Sequence, residues 1–84
     1  MKHYCVMGRY FFHIFNGSTT IDEEGNDLPD IDAARAFAIR IAREFACESI
    51  REGVLNLDHR IEVTQEDNVR VLTMTFREAF QIIG

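Results

Sequence analysis

Arg9-Tyr10-Phe11-Phe12-His13-Ile14-Phe15-Asn16-Gly17-Ser18-Thr19-Thr20-Ile21-Asp22 is the stretch that decides the fold. Residues 9–15 are aromatic and β-favouring, and they run into Asn-Gly, the pair that best tolerates the positive φ of a tight hairpin turn. Residues 18–22 then read as a second strand, with Thr19 and Ile21 alternating with Thr20 and Asp22 as on an exposed edge. Residues 23–30 are acidic and broken by Gly25 and Pro29, so they read as a loop that delivers the chain to a helix.

Asp30 is the expected N-cap of that helix, because its carboxylate can accept from the free N–H groups of the first turn, and Asp32 adds negative charge where the dipole favours it. Over residues 31–52, steps of 100° gather Ile31, Ala34, Phe37, Ala38, Ile41, Ala42 and Phe45 on one side and Arg40, Arg43, Glu44 and Arg51 on the other. Small alanines let such a helix approach a sheet closely, with Ile41 and Phe45 as anchors, and Gly53 ends it. Residues 60–65 alternate as a third strand, Glu66-Asp67-Asn68 make a turn, and residues 69–75 form a fourth strand with apolar residues on both faces. Residues 76–83 keep a helical register as a short tail. The expected fold is α+β in the order β-β-α-β-β: a two-layer sandwich of one long helix on a four-stranded sheet. Strands one and four, apolar on both faces, are expected in the centre, with two and three at the edges.

Composition bounds the function. Eighty-four residues suit a single domain, with residues 1–7 as an N-terminal extension, and 46% apolar residues with seven Phe suffice for one core. The net charge of −5 has the wrong sign for a general nucleic-acid binder. Neither a membrane span nor a signal peptide is legible, so a cytoplasmic protein is expected, with no membrane partner. Two cysteines make no disulfide framework: Cys5 lies near the N-terminus, and Cys47 falls on the polar side of the helix with Arg40 and Arg51.

Met7-Gly8-Arg9-Tyr10-Phe11-Phe12-His13-Ile14, Asn16-Gly17, Asp22-Glu23-Glu24-Gly25 and Leu28-Pro29-Asp30 before an Ala/Arg-rich helix resemble a family of small alphaproteobacterial proteins built on a domain of unknown function. The resemblance spans almost the whole chain and aligns Met7 with that family's usual start. It implies the fold and a bacterial origin, and it brings no catalytic residues with it. Leu28-Pro29 and the helix pattern also resemble the N-terminal domains of small antitoxins that neutralise messenger-cleaving toxins. That resemblance implies an acidic surface set against a basic partner.

The chemistry-bearing residues form no known constellation. Asp22, Glu23, Glu24, Asp27, Asp30 and Asp32 are dense enough to suggest calcium, but counting from Asp22 puts Asp27 where an EF-hand loop needs Gly and Ala33 where it needs Glu. His3, His13 and His59 lack zinc-ligand spacing. Ser18, Ser49, Cys47 and His59 sit in no nucleophile motif, and no phosphate-binding glycine loop is present. Nothing in the sequence calls for a metal or another cofactor. What stands out is Phe11, His13 and Phe15, which alternate with Tyr10, Phe12 and Ile14 along the first strand. One helix covers one face of a sheet, so the second face needs either the tail or another subunit over it. The expected function is a non-enzymatic interaction module that forms a homodimer, or binds another protein, through Phe11, His13 and Phe15. The antitoxin-like reading is the alternative, and a ligand binder or enzyme built around His13 is the third.

Overall fold

A computed structural model describes residues 8–83 of the chain. Five strands and one long helix follow one another as β1 (Gly8–Phe15), β2 (Thr19–Thr20), β3 (Asn26–Leu28), α1 (Ile31–Arg51), β4 (Arg60–Thr64) and β5 (Arg70–Thr75), and a 3₁₀ turn at Arg77–Ala79 comes last. The fold is α+β, with α1 on one face of an antiparallel sheet. The proposed N-terminal extension, with His3 and Cys5, lies outside the described residues.

The sheet order is β2-β1-β4-β5, with β3 also paired to β1, so β1 and β4 are central and β5 is an edge. This corrects the expected order, which put the third strand of the sequence pattern at an edge and the fourth in the centre. The inference failed because clean alternation marks a sheet open on one face, whether the strand is central or not. Ile61 and Val63 of β4 are fully buried beneath the helix, while Arg60, Glu62 and Thr64 point away from it.

The edge beside β1 departs from expectation as well. Residues 18–22 shorten to the two-residue β2, and the predicted loop at 23–30 contains β3. Thr20 faces Ile14 and Asn26 faces Tyr10, so six residue steps on the edge match four on β1. β2 and β3 are thus the ends of one edge strand whose middle loops out with two extra residues, as in an enlarged β-bulge.

The helix begins and ends as the sequence implies. Asp30 Oδ1 accepts from the Ala33 N–H at 2.9 Å, and Gly53 past the last turn has φ 88°. Its buried stripe differs in detail: Ala34, Ala38, Ala42 and Ala46 form the fully buried line, while Phe37, Ile41 and Phe45 flank it half-buried and Ile31 is exposed. Four alanines at i, i+4 spacing bring the helix backbone onto the sheet, and larger residues fill the sides. Phe12 meets Phe37 edge-to-face with centroids 4.8 Å apart.

The tail makes one 3₁₀ turn instead of the expected run to residue 83, where Ile83 is 85% exposed. Phe76 is fully buried, and Arg43 Nε donates to the Ala79 carbonyl at 2.7 Å. Arg43, placed by its helix position among the solvated residues, therefore ties the 3₁₀ turn to α1. The described part of the tail packs on the helix side, and among the described residues no helix or 3₁₀ turn crosses the other face of the sheet.

Candidate functional site

β1 alternates, so Tyr10, Phe12 and Ile14 enter the core and Phe11, His13 and Phe15 share the helix-free face. The structure brings these three together in a row. β4 sets Thr64 opposite Phe11, Glu62 opposite His13 and Arg60 opposite Phe15.

Each of the three is half-buried by its own chain. The Arg60 guanidinium lies 4.3 Å from the Phe15 ring centroid and pairs with Glu62 at 2.8 Å. Arg70 reaches the same Glu62 oxygen at 3.9 Å. The loop at residues 21–25 folds against Phe11, and Gly25 sits so close that a Cβ would be 2.9 Å from the ring and from Arg9 Cγ. Its φ of 73° also favours glycine. Arg9 bonds the Glu24 carbonyl and pairs with Asp27 at 3.2 Å, holding the loop from below.

Asp22 organises this loop. Between the stretches paired to β3 and β2, the Phe12 N–H would lack a strand partner, and it donates instead to Asp22 Oδ2 at 3.0 Å. Asp22 Oδ1 accepts from the N–H groups of Glu24 at 3.1 Å and Gly25 at 3.0 Å. One carboxylate thus replaces the missing strand and closes the turn, which meets the requirement that such backbone donors find a partner. Burial of the carboxyl works against its charge. The three N–H bonds outweigh it, His13 when charged adds to them, and Asp22 is held below its ordinary value of 3.8.

His13 joins the same network. The Asp22 N–H donates to His13 Nδ1 at 3.1 Å, so Nε2 carries the proton and donates to Thr64 Oγ1 at 2.9 Å. Both ring nitrogens are engaged within the chain. The acidic residues grouped in the sequence disperse into separate tasks: Asp22 closes the edge, Asp27 pairs with Arg9, and Asp30 caps the helix. Among the described residues, no three His, Cys, Asp or Glu side chains converge as a metal-binding set. Cys47 is exposed on α1, and His59 packs edge-on to Phe76 at 5.7 Å with its buried Nδ1 unpartnered. A cleft of about 260 Å³ beside the start of β1, lined by Gly8, Arg9, Gln65, Glu66 and Asp67, lies apart from Phe15 and Arg60.

Sequence reasoning missed Arg60, Glu62, Thr64 and Asp22 as members of this face. Asp22 carried a signal, an Asp followed three residues later by Gly, which is the pattern of a side chain closing its own turn. The β4 residues carried none until the pairing of β1 with β4 was known.

Helix on one face, side-chain-covered aromatics on the other and a carboxylate closing the edge define a two-layer α+β domain with a helix-free sheet face. Residues 9–77 match the domain of unknown function DUF6894, and the chain belongs to that family. No curated protein and no solved structure matches it. No helix among the described residues is long and apolar enough to cross a membrane.

Proposed function

We propose that this domain is a non-enzymatic interaction module of a bacterial cytoplasmic protein, and that it meets a protein partner through the face of Phe11, His13 and Phe15. One observation carries the reading. Neither α1 nor the 3₁₀ turn crosses this face, and Phe15 is covered by the mobile type of group, an arginine side chain, that a partner can displace or share. Aromatic rings beside arginine are the composition enriched at the centres of protein contacts. With both His13 nitrogens held by Asp22 and Thr64, the imidazole serves the shape of the face better than it serves catalysis.

A photoreactive benzoylphenylalanine placed at position 15, and separately at the exposed helix position 35, tests this in the cells of origin and in the purified protein. One crosslinked partner at position 15 and none at 35 supports the reading, and a covalent homodimer from the purified chain identifies the partner as a second copy. Equal labelling at both positions, or none at 15 in a folded protein, overturns it.

A further inference from the structure

We propose that β5 pairs antiparallel with the β5 of a second copy, about a twofold axis at Thr73, joining two sheets edge to edge. The ladder inside the domain shows which backbone groups are free to do this. The Phe76 N–H donates to the His59 carbonyl at 2.7 Å, and β5 continues from there with Met74 opposite Ile61 and Leu72 opposite Val63. Bonded and non-bonded pairs alternate in antiparallel sheets, so Thr73 and Thr75 are the residues whose N–H and C=O point away from β4. The Thr75 N–H confirms the direction, because it donates to Glu78 Oε1 at 2.9 Å. The amide and carbonyl of Thr73 are left facing outward.

The two edges of the sheet are treated differently. At β1 the edge is divided into strands of two and three residues, and the gap between them is filled by Asp22. At β5 a bulge at Val71 interrupts the register, but the stretch after it, Leu72-Thr73-Met74-Thr75-Phe76, contains no charge, glycine or proline, which are among the usual means of keeping an edge single. An edge of this composition favours another strand.

Self-pairing suits the side chain on the axis as well. A twofold axis at Thr73 sets Thr73 against its own copy, a pair of β-branched residues with no like charges opposed, while Val71, the extra residue of the bulge opposite Val63 and Thr64, packs against the core. Arg70 precedes the stretch and Glu78 follows it. Antiparallel copies therefore bring the Arg70 of each toward the Glu78 of the other, whereas parallel copies would set arginine beside arginine. The register shift opposite Val63 and Thr64 limits pairing to the stretch after Val71. The helix-free faces stay open side by side, so this pairing is independent of the contact proposed for Phe11, His13 and Phe15.

Sedimentation equilibrium of the whole chain is the test. The contact is smaller than a standard interface, so a dissociation constant in the micromolar range and a dimer at about 100 µM are expected. Thr73→Pro removes the outward N–H without touching the bonds to β4, and it is expected to be monomeric with an unchanged circular dichroism spectrum. Thr73 is exposed, so Thr73→Lys and Thr73→Glu fold even if the proline variant does not. Each alone sets like charges together on the twofold axis and is expected to be monomeric, while their mixture dimerises. A monomeric wild type, or a Thr73→Lys variant that dimerises like the wild type, overturns the proposal. Loss of the dimer in Phe11→Ser/Phe15→Ser, with Thr73→Lys unaffected, also overturns it and assigns the dimer to the helix-free face.

Discussion

Replacing Asp22 with alanine removes the acceptor for three backbone N–H groups, those of Phe12, Glu24 and Gly25. Hydrogen bonds to a charged group contribute about 1.5–3 kcal/mol each when shielded, but this loop is partly open to water, which can replace the acceptors at Glu24 and Gly25. The Phe12 N–H is less accessible, since it lies between β2 and β3. Counting that bond in full and the two turn bonds at a fraction gives a loss of about 2–3 kcal/mol for Asp22→Ala, a large share of the stability of a small domain. Asp22→Asn keeps one oxygen and sets an NH₂ group against a remaining N–H, so it is expected to fall between alanine and wild type.

The pH dependence has a definite sign. The folded carboxyl titrates below its ordinary 3.8, so its contribution is complete above that value and is lost as pH falls through the folded value. Urea unfolding followed at several pH values should show wild type and Asp22→Ala separated by a constant gap at neutral pH that narrows below pH 3.8. Hydrogen exchange supplies a local measurement, because the Phe12 amide should lose protection in the variant while the Val63 amide keeps it. A gap under about 0.5 kcal/mol at neutral pH, or an unchanged Phe12 amide, would refute the assignment of Asp22 as the closure of this edge.

Two further substitutions test the packing by thermal or chemical denaturation. Phe76→Ala, at a fully buried ring, should cost about 3–5 kcal/mol, against about 1–2 kcal/mol for half-buried Phe45→Ala, and equal losses would contradict the packing of the tail on the helix side. Gly25→Ala should cost about 1–3 kcal/mol, because the new methyl meets the Phe11 ring at 2.9 Å and the backbone has φ 73°, and a neutral result would show that the loop does not rest on Phe11.

Signals confined to a short window were legible. Asp30, the alanine spacing and Gly53 defined the helix to within a residue, since capping and a 3.6-residue period act over one or two turns. The pattern of β1, aromatic on both faces and ending at Asn-Gly, located the strand and its turn. Strand order was misread because period-two patterning reports which face is covered and is silent about neighbours, so Ile61 and Val63 looked the same in a central strand as at an edge. Residue size misled in the helix too. Phe45 and Ile41 were assigned the centre of the contact on hydrophobicity, whereas close approach to a sheet gives the centre to the four alanines and sends the larger groups to the flanks.

The face at Phe11, His13 and Phe15 shows the same division between local and distant information. Sequence alternation put the three residues in one row, and the structure keeps them there. It could not supply their coverings, because Arg60 and Thr64 come from a strand about fifty residues away and the loop closes only once Asp22 has found the Phe12 amide. Those coverings alter the argument for a partner. A bare aromatic face would require another subunit to be stable in water, whereas Phe15 lies under Arg60 and Phe11 lies against Gly25, so both rings are covered within the chain. The domain therefore needs no partner on this face to stay folded, while among the described residues the β5 edge after Val71 is covered only where Glu78 accepts from the Thr75 N–H.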